Sequence, residues 1–281
     1  MDGTTESRSP KEPDPAARPS GEHDEFSFAR LSVEYNLLKI SSYGRVFCNL
    51  ILDEINQRSK SSDGTSSDGT SCNVLDVGCG HGIGRRVSLQ REIRQKCGEY
   101  WGIEPDQGVT VEDGLFDNFQ HALMETAEVP ENYFDVVYSS MVMEHVEYPD
   151  AFLQAVQRCL KPGGVHLFLT PNAKSFVPWV TRICHSLHID EFVLRLVRKS
   201  QQIDEYHYPV QFRCNTPQQV TEHAFPLGFL EPEFAYIEGN GSRGYFPGPL
   251  RLVYAGLMLK RKLIRNPRNL VTMICRLTKA K

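Results

Sequence analysis

The chain has 281 residues, 40% of them apolar, with 35 acidic against 31 basic side chains and a formal net charge of −4. That length holds one large α/β domain with additions; the mild acidity argues against a nucleic-acid binder, no basic groove with interleaved aromatics stands out, and no apolar run reaches the roughly 18 residues of a membrane span. Eight cysteines show no CxxC pair and no regular spacing, so neither a zinc site nor a disulfide framework is indicated and a reducing cytoplasm fits best.

Residues 1–25, MDGTTESRSPKEPDPAARPSGEHDE, are polar and proline-rich without the apolar stretch of a signal peptide, and are expected to form a disordered tail. From Phe26 to Lys60 apolar residues recur at helical spacing (Leu31, Val33, Tyr35, Leu37, Leu38 and Ile40, then Val46, Phe47, Leu50, Ile51 and Ile55), with a break near Ser41–Gly44. This predicts a cap of one or two helices over 26–60. SSDGTSSDGT at 61–70 is a tandem repeat of turn formers, so residues 61–72 are expected to be a flexible linker.

From Asn73 the pattern becomes alternating strand and helix. NVLDV reads as a first strand, Ile83–Lys96 as a helix, EYWGIEP as a second strand ending in an acid, DNFQHALMETAEVP as holding a weaker third, and FDVVYSS as a fourth. Asp150–Leu160 reads as a helix, KPGG as a turn and VHLFLT as a fifth strand. Strands separated by helix-length segments predict a doubly wound, mostly parallel sheet with helices on both faces. Residues 174–215 form an insertion: an apolar helical excursion at 175–199, then an aromatic loop, DEYHYPVQFRCNT. A helix over Thr216–Leu227, the strand EPEFAYIE, a helix over Leu250–Ile264 and the closing strand NLVTMICRL complete residues 73–281, the last strand expected antiparallel at the sheet edge.

The stretch NVLDVGCGHG, residues 73–82, carries the chemistry. Ligands of such sheets sit beyond the carboxyl ends of the strands, where glycines let backbone approach a ligand closely. A dinucleotide fingerprint needs a third glycine at position 83, which is Ile83; the glycines run 78, 80, 82 and 84. Glu104 ends the second strand, 22 residues past Gly82, where a carboxylate accepts hydrogen bonds from ribose hydroxyls. Asp76, an acid inside an apolar strand, requires a polar partner.

VLDVGCGHG, GIEPD, METAEVPENYFDVV, SSMVMEHV and LKPGGVHLFLTPN, running from Val74 to Asn172, resemble in order and spacing the class I S-adenosylmethionine-dependent methyltransferases. The likeness is strongest to the small-molecule branch related to ubiquinone and menaquinone methylation enzymes. The resemblance implies a Rossmann-like seven-stranded sheet of order 3-2-1-4-5-7-6 with strand 7 antiparallel, and S-adenosyl-L-methionine as cofactor. It implies that Asp76, Gly78, Cys79 and Gly80 line the methionine end, that Glu104 holds the ribose, and that Glu125 and Thr126 lie beside the adenine.

The predicted reaction is methyl transfer to a small-molecule acceptor, at oxygen in the preferred reading, with N- or C-methylation, a nicotinamide oxidoreductase and a non-catalytic cofactor-binding module as alternatives. In-line displacement from a sulfonium needs alignment and dryness more than acid–base help, whereas an aliphatic hydroxyl acceptor needs a base. His145, in MEHV after the fourth strand, is the candidate, with Glu144 beside it. Some relatives carry E-x-x-E-H here and bind a divalent ion, but Met141 replaces the first carboxylate and no metal is assigned. Tyr206, His207 and Arg213 are expected to cap the acceptor, which the apolar insertion suggests is hydrophobic. No carboxylate side chain follows Glu238. A basic-ended helix in PLRLVYAGLMLKRKLIR could rest on a membrane, but consecutive Leu257, Met258 and Leu259 favour a helix that covers the core.

Overall fold

The computed structural model describes residues 28–33, 36–37, 43–61, 72–175, 209–238, 250–263 and 266–281. The expected tail, most of the linker and the apolar part of the insertion, including Tyr206 and His207, lie outside the described residues.

In chain order the elements are α1 (Phe28–Val33), β1 (Asn36–Leu37), α2 (Tyr43–Ser61), β2 (Val74–Val77), α3 (Val87–Arg94), β3 (Tyr100–Ile103), β4 (Asn118–Gln120) and β5 (Phe134–Ser140). There follow α4 (Pro149–Cys159), β6 (Leu160–Pro171), α5 (Pro217–Ala224), β7 (Glu233–Glu238), α6 (Leu250–Leu263) and β8 (Thr272–Thr278). Eight strands join in the order β1-β7-β8-β6-β5-β2-β3-β4. Without β1 this is the expected 3-2-1-4-5-7-6. The closing strand β8 runs antiparallel to both β6 and β7, and the other pairings are parallel.

β2, β3 and β5 are short and mostly buried, as parallel strands covered on both faces must be. Alternation of side chains sends Leu75 and Val77 into a core under α4 and α5, with Phe152, Val156 and Val220. It sends Val74 to the opposite face, with Phe47 and Ile51 of α2, Leu89 and Ile93 of α3, and Tyr100 and Tyr138 from the adjoining strands.

Several elements differ from expectation. The N-terminal segment contributes a strand as well as helices: β1 lies parallel along β7, Asn36 opposite Ile237, and buried Leu31 of α1 belongs to the α2-side core. A two-residue strand has no periodicity to read. The connections 104–117 and 121–133 cross by turns and carry no α-helix. α3 begins four residues after Ile83, because the glycine turn runs on through Gly84 and Arg85, both with positive φ. On α6, Leu252, Leu259 and Leu263 face solvent, while Tyr254 and Met258 are half-buried.

Candidate cofactor site

The site gathers at the carboxyl ends of β2, β3, β5 and β6. Gly78 leaves β2 at φ +75°, and the amides of Gly78 and Cys79 donate to the Ile103 carbonyl at 2.8 and 3.2 Å, so the turn bends over the tip of β3. There Glu104, only 8% exposed, accepts the Gly80 N–H on Oε2 at 2.9 Å and the Asp106 N–H on Oε1 at 3.0 Å. A Cβ on Gly80 would stand 2.8 Å from that Oε2 and 2.4 Å from Val109 Cγ1. The glycine is there because carboxylate and main chain meet with no room between them. Each carboxylate oxygen has two lone pairs and uses one on backbone, leaving an acceptor on each oxygen for a hydroxyl of a diol such as ribose. The residues present therefore fit an adenosyl cofactor.

Asp76 answers differently. It is 2% exposed, and its Oδ2 accepts from Tyr138 Oη at 2.6 Å, Gln90 Nε2 at 2.7 Å and Tyr100 Oη at 3.2 Å. Burial pushes its carboxyl up to about 6, against the opposing pull of these three donors. The polar partners that a buried acid demands are supplied by the protein itself. Gln90 also donates to the Cys79 carbonyl at 2.8 Å, so the carboxylate steadies the glycine turn from beneath. Cys79 is buried, and burial raises its thiol far above the ordinary range. It packs as a small apolar group with no nucleophilic character.

The turn after β5 abuts the same loop. A Cβ on Gly78 would stand 2.4 Å from Val142 Cγ2, so the residues leading to His145 pack directly on the cofactor turn. His145 Nδ1 lies 3.3 Å from the Pro209 carbonyl, and Nε2 lies 4.0 Å from Glu144 Oε1. Glu144 is buried, its carboxyl pushed up to about 7 by desolvation. Its Oε2 accepts from Thr170 Oγ1 at 2.9 Å, and Thr170 Oγ1 accepts from Asn215 Nδ2 at 2.6 Å. Asn215 Oδ1 is buried with no hydrogen-bond partner. Neither Thr170 nor Asn215 was foreseen; the one signal was a polar residue ending an apolar strand run.

The segment 209–216 closes on this turn. Gln211 and Phe212 amides donate to the Glu144 carbonyl at 2.7 and 3.2 Å, and Arg213 Nη1 donates to the Glu147 carbonyl at 2.8 Å. Arg213 is exposed and clamps two loops together. Glu125 and Thr126 lie in the connection between β4 and β5. Thr126 is exposed, its Oγ1 donating to the Leu123 carbonyl, and Glu125 lines a hollow with Ala151, Gln154, Ala155, Gln157 and Arg158 of α4. No described hydrogen bond ties either to Gly80 or Glu104. Among the described residues no group of three or more His, Cys, Asp or Glu is placed to hold a metal.

A sheet of this order, with a bare turn at the tip of its first strand and a carboxylate at the tip of its second, is that of an S-adenosylmethionine-dependent methyltransferase. The chain belongs to a methyltransferase-domain family, whose model matches residues 42–222. That membership sets aside the nicotinamide alternative. Curated relatives include ubiquinone biosynthesis O-methyltransferases of Pectobacterium carotovorum, 32% identical over 49% of this chain and 57% of the relative, and of Sodalis glossinidius, 34% identical over 50% of this chain and 55% of the relative. The chain thus spans little more than half the length of these relatives. Similar solved structures include a SAM-dependent methyltransferase from Archaeoglobus fulgidus, 16% identical, covering 83% of this chain and 94% of that one with a TM-score of 0.45.

Proposed function

We propose that the chain methylates a hydroxyl oxygen of a small, hydrophobic acceptor, with His145 receiving the acceptor's proton. One observation carries this: Val142 fills the space over Gly78, so the turn bearing His145 and the turn that cradles the donor are in contact, and a base and a methyl group brought by them share one crevice. When bound, S-adenosylmethionine supplies an already activated methyl, which leaves the protein with positioning, exclusion of water and proton transfer.

Glu104 would hold the sugar through its two remaining lone pairs, and the Gly78–Gly80 main chain would line the methionine portion. With Nδ1–H donating to the Pro209 carbonyl, His145 keeps Nε2 unprotonated and able to take a hydroxyl proton. Glu144, held by Thr170, lies on the Nε2 side and favours the imidazolium once formed. The curated relatives' printed names, O-methyltransferases of ubiquinone biosynthesis, support oxygen as the atom and a quinol-like acceptor as the class.

Radiolabelled methyl transfer to a panel of quinols, catechols and amines tests the reading. Hydroxyl methylation is expected, with His145→Ala slowing turnover by about 10²–10⁴-fold while affinity for S-adenosylhomocysteine is unchanged. Methyl recovered on nitrogen or carbon, or a His145→Ala enzyme with undiminished turnover, contradicts it.

A further inference from the structure

The connection between β7 and β8 leaves and re-enters the sheet at its carboxyl edge, the edge that carries Gly80, Glu104 and His145: Ile237 and Pro171 both stand opposite Thr272. Two residues suffice to join antiparallel neighbours. Here the chain carries α6. On α6, Tyr254 and Met258 are half-buried, while Leu252, Leu259 and Leu263 are 79%, 60% and 78% exposed and Ala255 and Gly256 between them are exposed as well. At about 100° per residue these five positions fall within an arc of about 100°, turned away from Tyr254 and Met258. A leucine stripe left outward is unfavourable unless something covers it.

Charge identifies what covers it. The helix sequence LRLVYAGLMLKRKL contains Arg251, Lys260, Arg261 and Lys262 and no acid, and no carboxylate side chain occurs between residue 239 and the end of the chain. An apolar stripe on a helix whose charges are all positive is the pattern that rests in the headgroup layer of an anionic bilayer, leucines in the acyl boundary and basic groups among the phosphates. We propose that α6 is a peripheral membrane-docking helix which holds the carboxyl edge of the sheet against an anionic lipid surface. The inference goes beyond methyl transfer and does not depend on it.

Flotation of the full chain with vesicles tests it, using phosphatidylglycerol mixed with phosphatidylcholine and phosphatidylcholine alone. The wild-type chain is expected to float with the anionic vesicles and far less with the neutral ones. A Leu252→Gln, Leu259→Gln, Leu263→Gln variant, altered only at exposed positions and checked for an unchanged melting temperature, should bind the anionic vesicles at least about tenfold more weakly. Failure of the wild-type chain to float, equal flotation on both vesicle types, or undiminished binding by the variant overturns the proposal. So does a wild-type dimer that ignores lipid and becomes monomeric in the variant, which would assign the stripe to a second copy of the chain.

Discussion

Gly80 differs from its neighbours in why it is glycine. Gly78 and Gly82 hold φ of +75° and +73°, so a side chain there strains the backbone whatever the space. Gly80 is not in that region; its constraint is the 2.8 Å to Glu104 Oε2 and 2.4 Å to Val109 Cγ1 that a Cβ would face. Gly80→Ala should therefore push the Glu104 carboxylate off its place, cost about 1–3 kcal/mol of stability through overpacking, and weaken S-adenosylhomocysteine binding by about 1–3 kcal/mol through the lost hydrogen bonds; calorimetric titration showing wild-type affinity contradicts the cradle. Asp76 makes a pH prediction. Its folded carboxyl sits near 6 against an ordinary 3.8, so the fold favours the protonated form: its stabilisation is complete below about pH 4 and is lost as pH rises through about 6. Relative to Asp76→Asn, the wild-type chain should lose up to about 3 kcal/mol between about pH 4 and 7, read by urea unfolding. A difference that stays flat would show that the carboxyl is not perturbed. That an acid in NVLDV must be met by something polar was legible in the sequence. What meets it was not, since Tyr100 and Tyr138 reach it from neighbouring strands whose pairing decides which face each ring occupies.

At the scale of elements, the alternation of strands and helices predicted a doubly wound sheet with an antiparallel last strand, and the strand order came from the family resemblance. Lengths of helices and the content of crossovers did not follow from either, because turns such as 104–117 satisfy the same connection without periodicity. β1 is the clearest case. It lies along β7, whose outer side would otherwise present unpaired backbone groups, and Leu31 anchors the helix before it. Leu31→Ala should cost about 2–5 kcal/mol and selectively speed hydrogen exchange at the β7 amides; unchanged exchange there would mean that the N-terminal segment does not protect the edge. A second element-scale prediction concerns the tie between β6 and the segment before α5. Thr170→Val leaves the buried Glu144 Oε2 without its hydroxyl donor, at a cost of about 1–3 kcal/mol, and Asn215 Nδ2 with its 3.3 Å bond to the Pro171 carbonyl, whereas Thr170→Ser should restore most of the loss. Equal stability of the two variants in urea unfolding contradicts the chain of bonds.

In the whole molecule, the sheet puts its glycine turn, the Glu104 carboxylate, its histidine turn and the 209–216 clamp at one edge, between the two hydrophobic cores. The five motifs from Val74 to Asn172 sufficed to reach the class of enzyme. The acceptor side was less legible, since the bond from Arg213 to the Glu147 carbonyl joins segments 66 residues apart, which no local pattern announces. Glu125 lies beside α4 residues and Thr126 Oγ1 bonds the Leu123 carbonyl, local contacts that the motif did not predict. Everything functional rests on the Gly80–Glu104 clasp as the seat of the adenosyl group. Calorimetric titration of S-adenosylhomocysteine into the wild-type chain and Glu104→Ala tests it most directly: saturable one-to-one binding is predicted for the first, and affinity lower by about 1–3 kcal/mol for the second. No binding by the wild-type chain, or equal affinity for both, would contradict it.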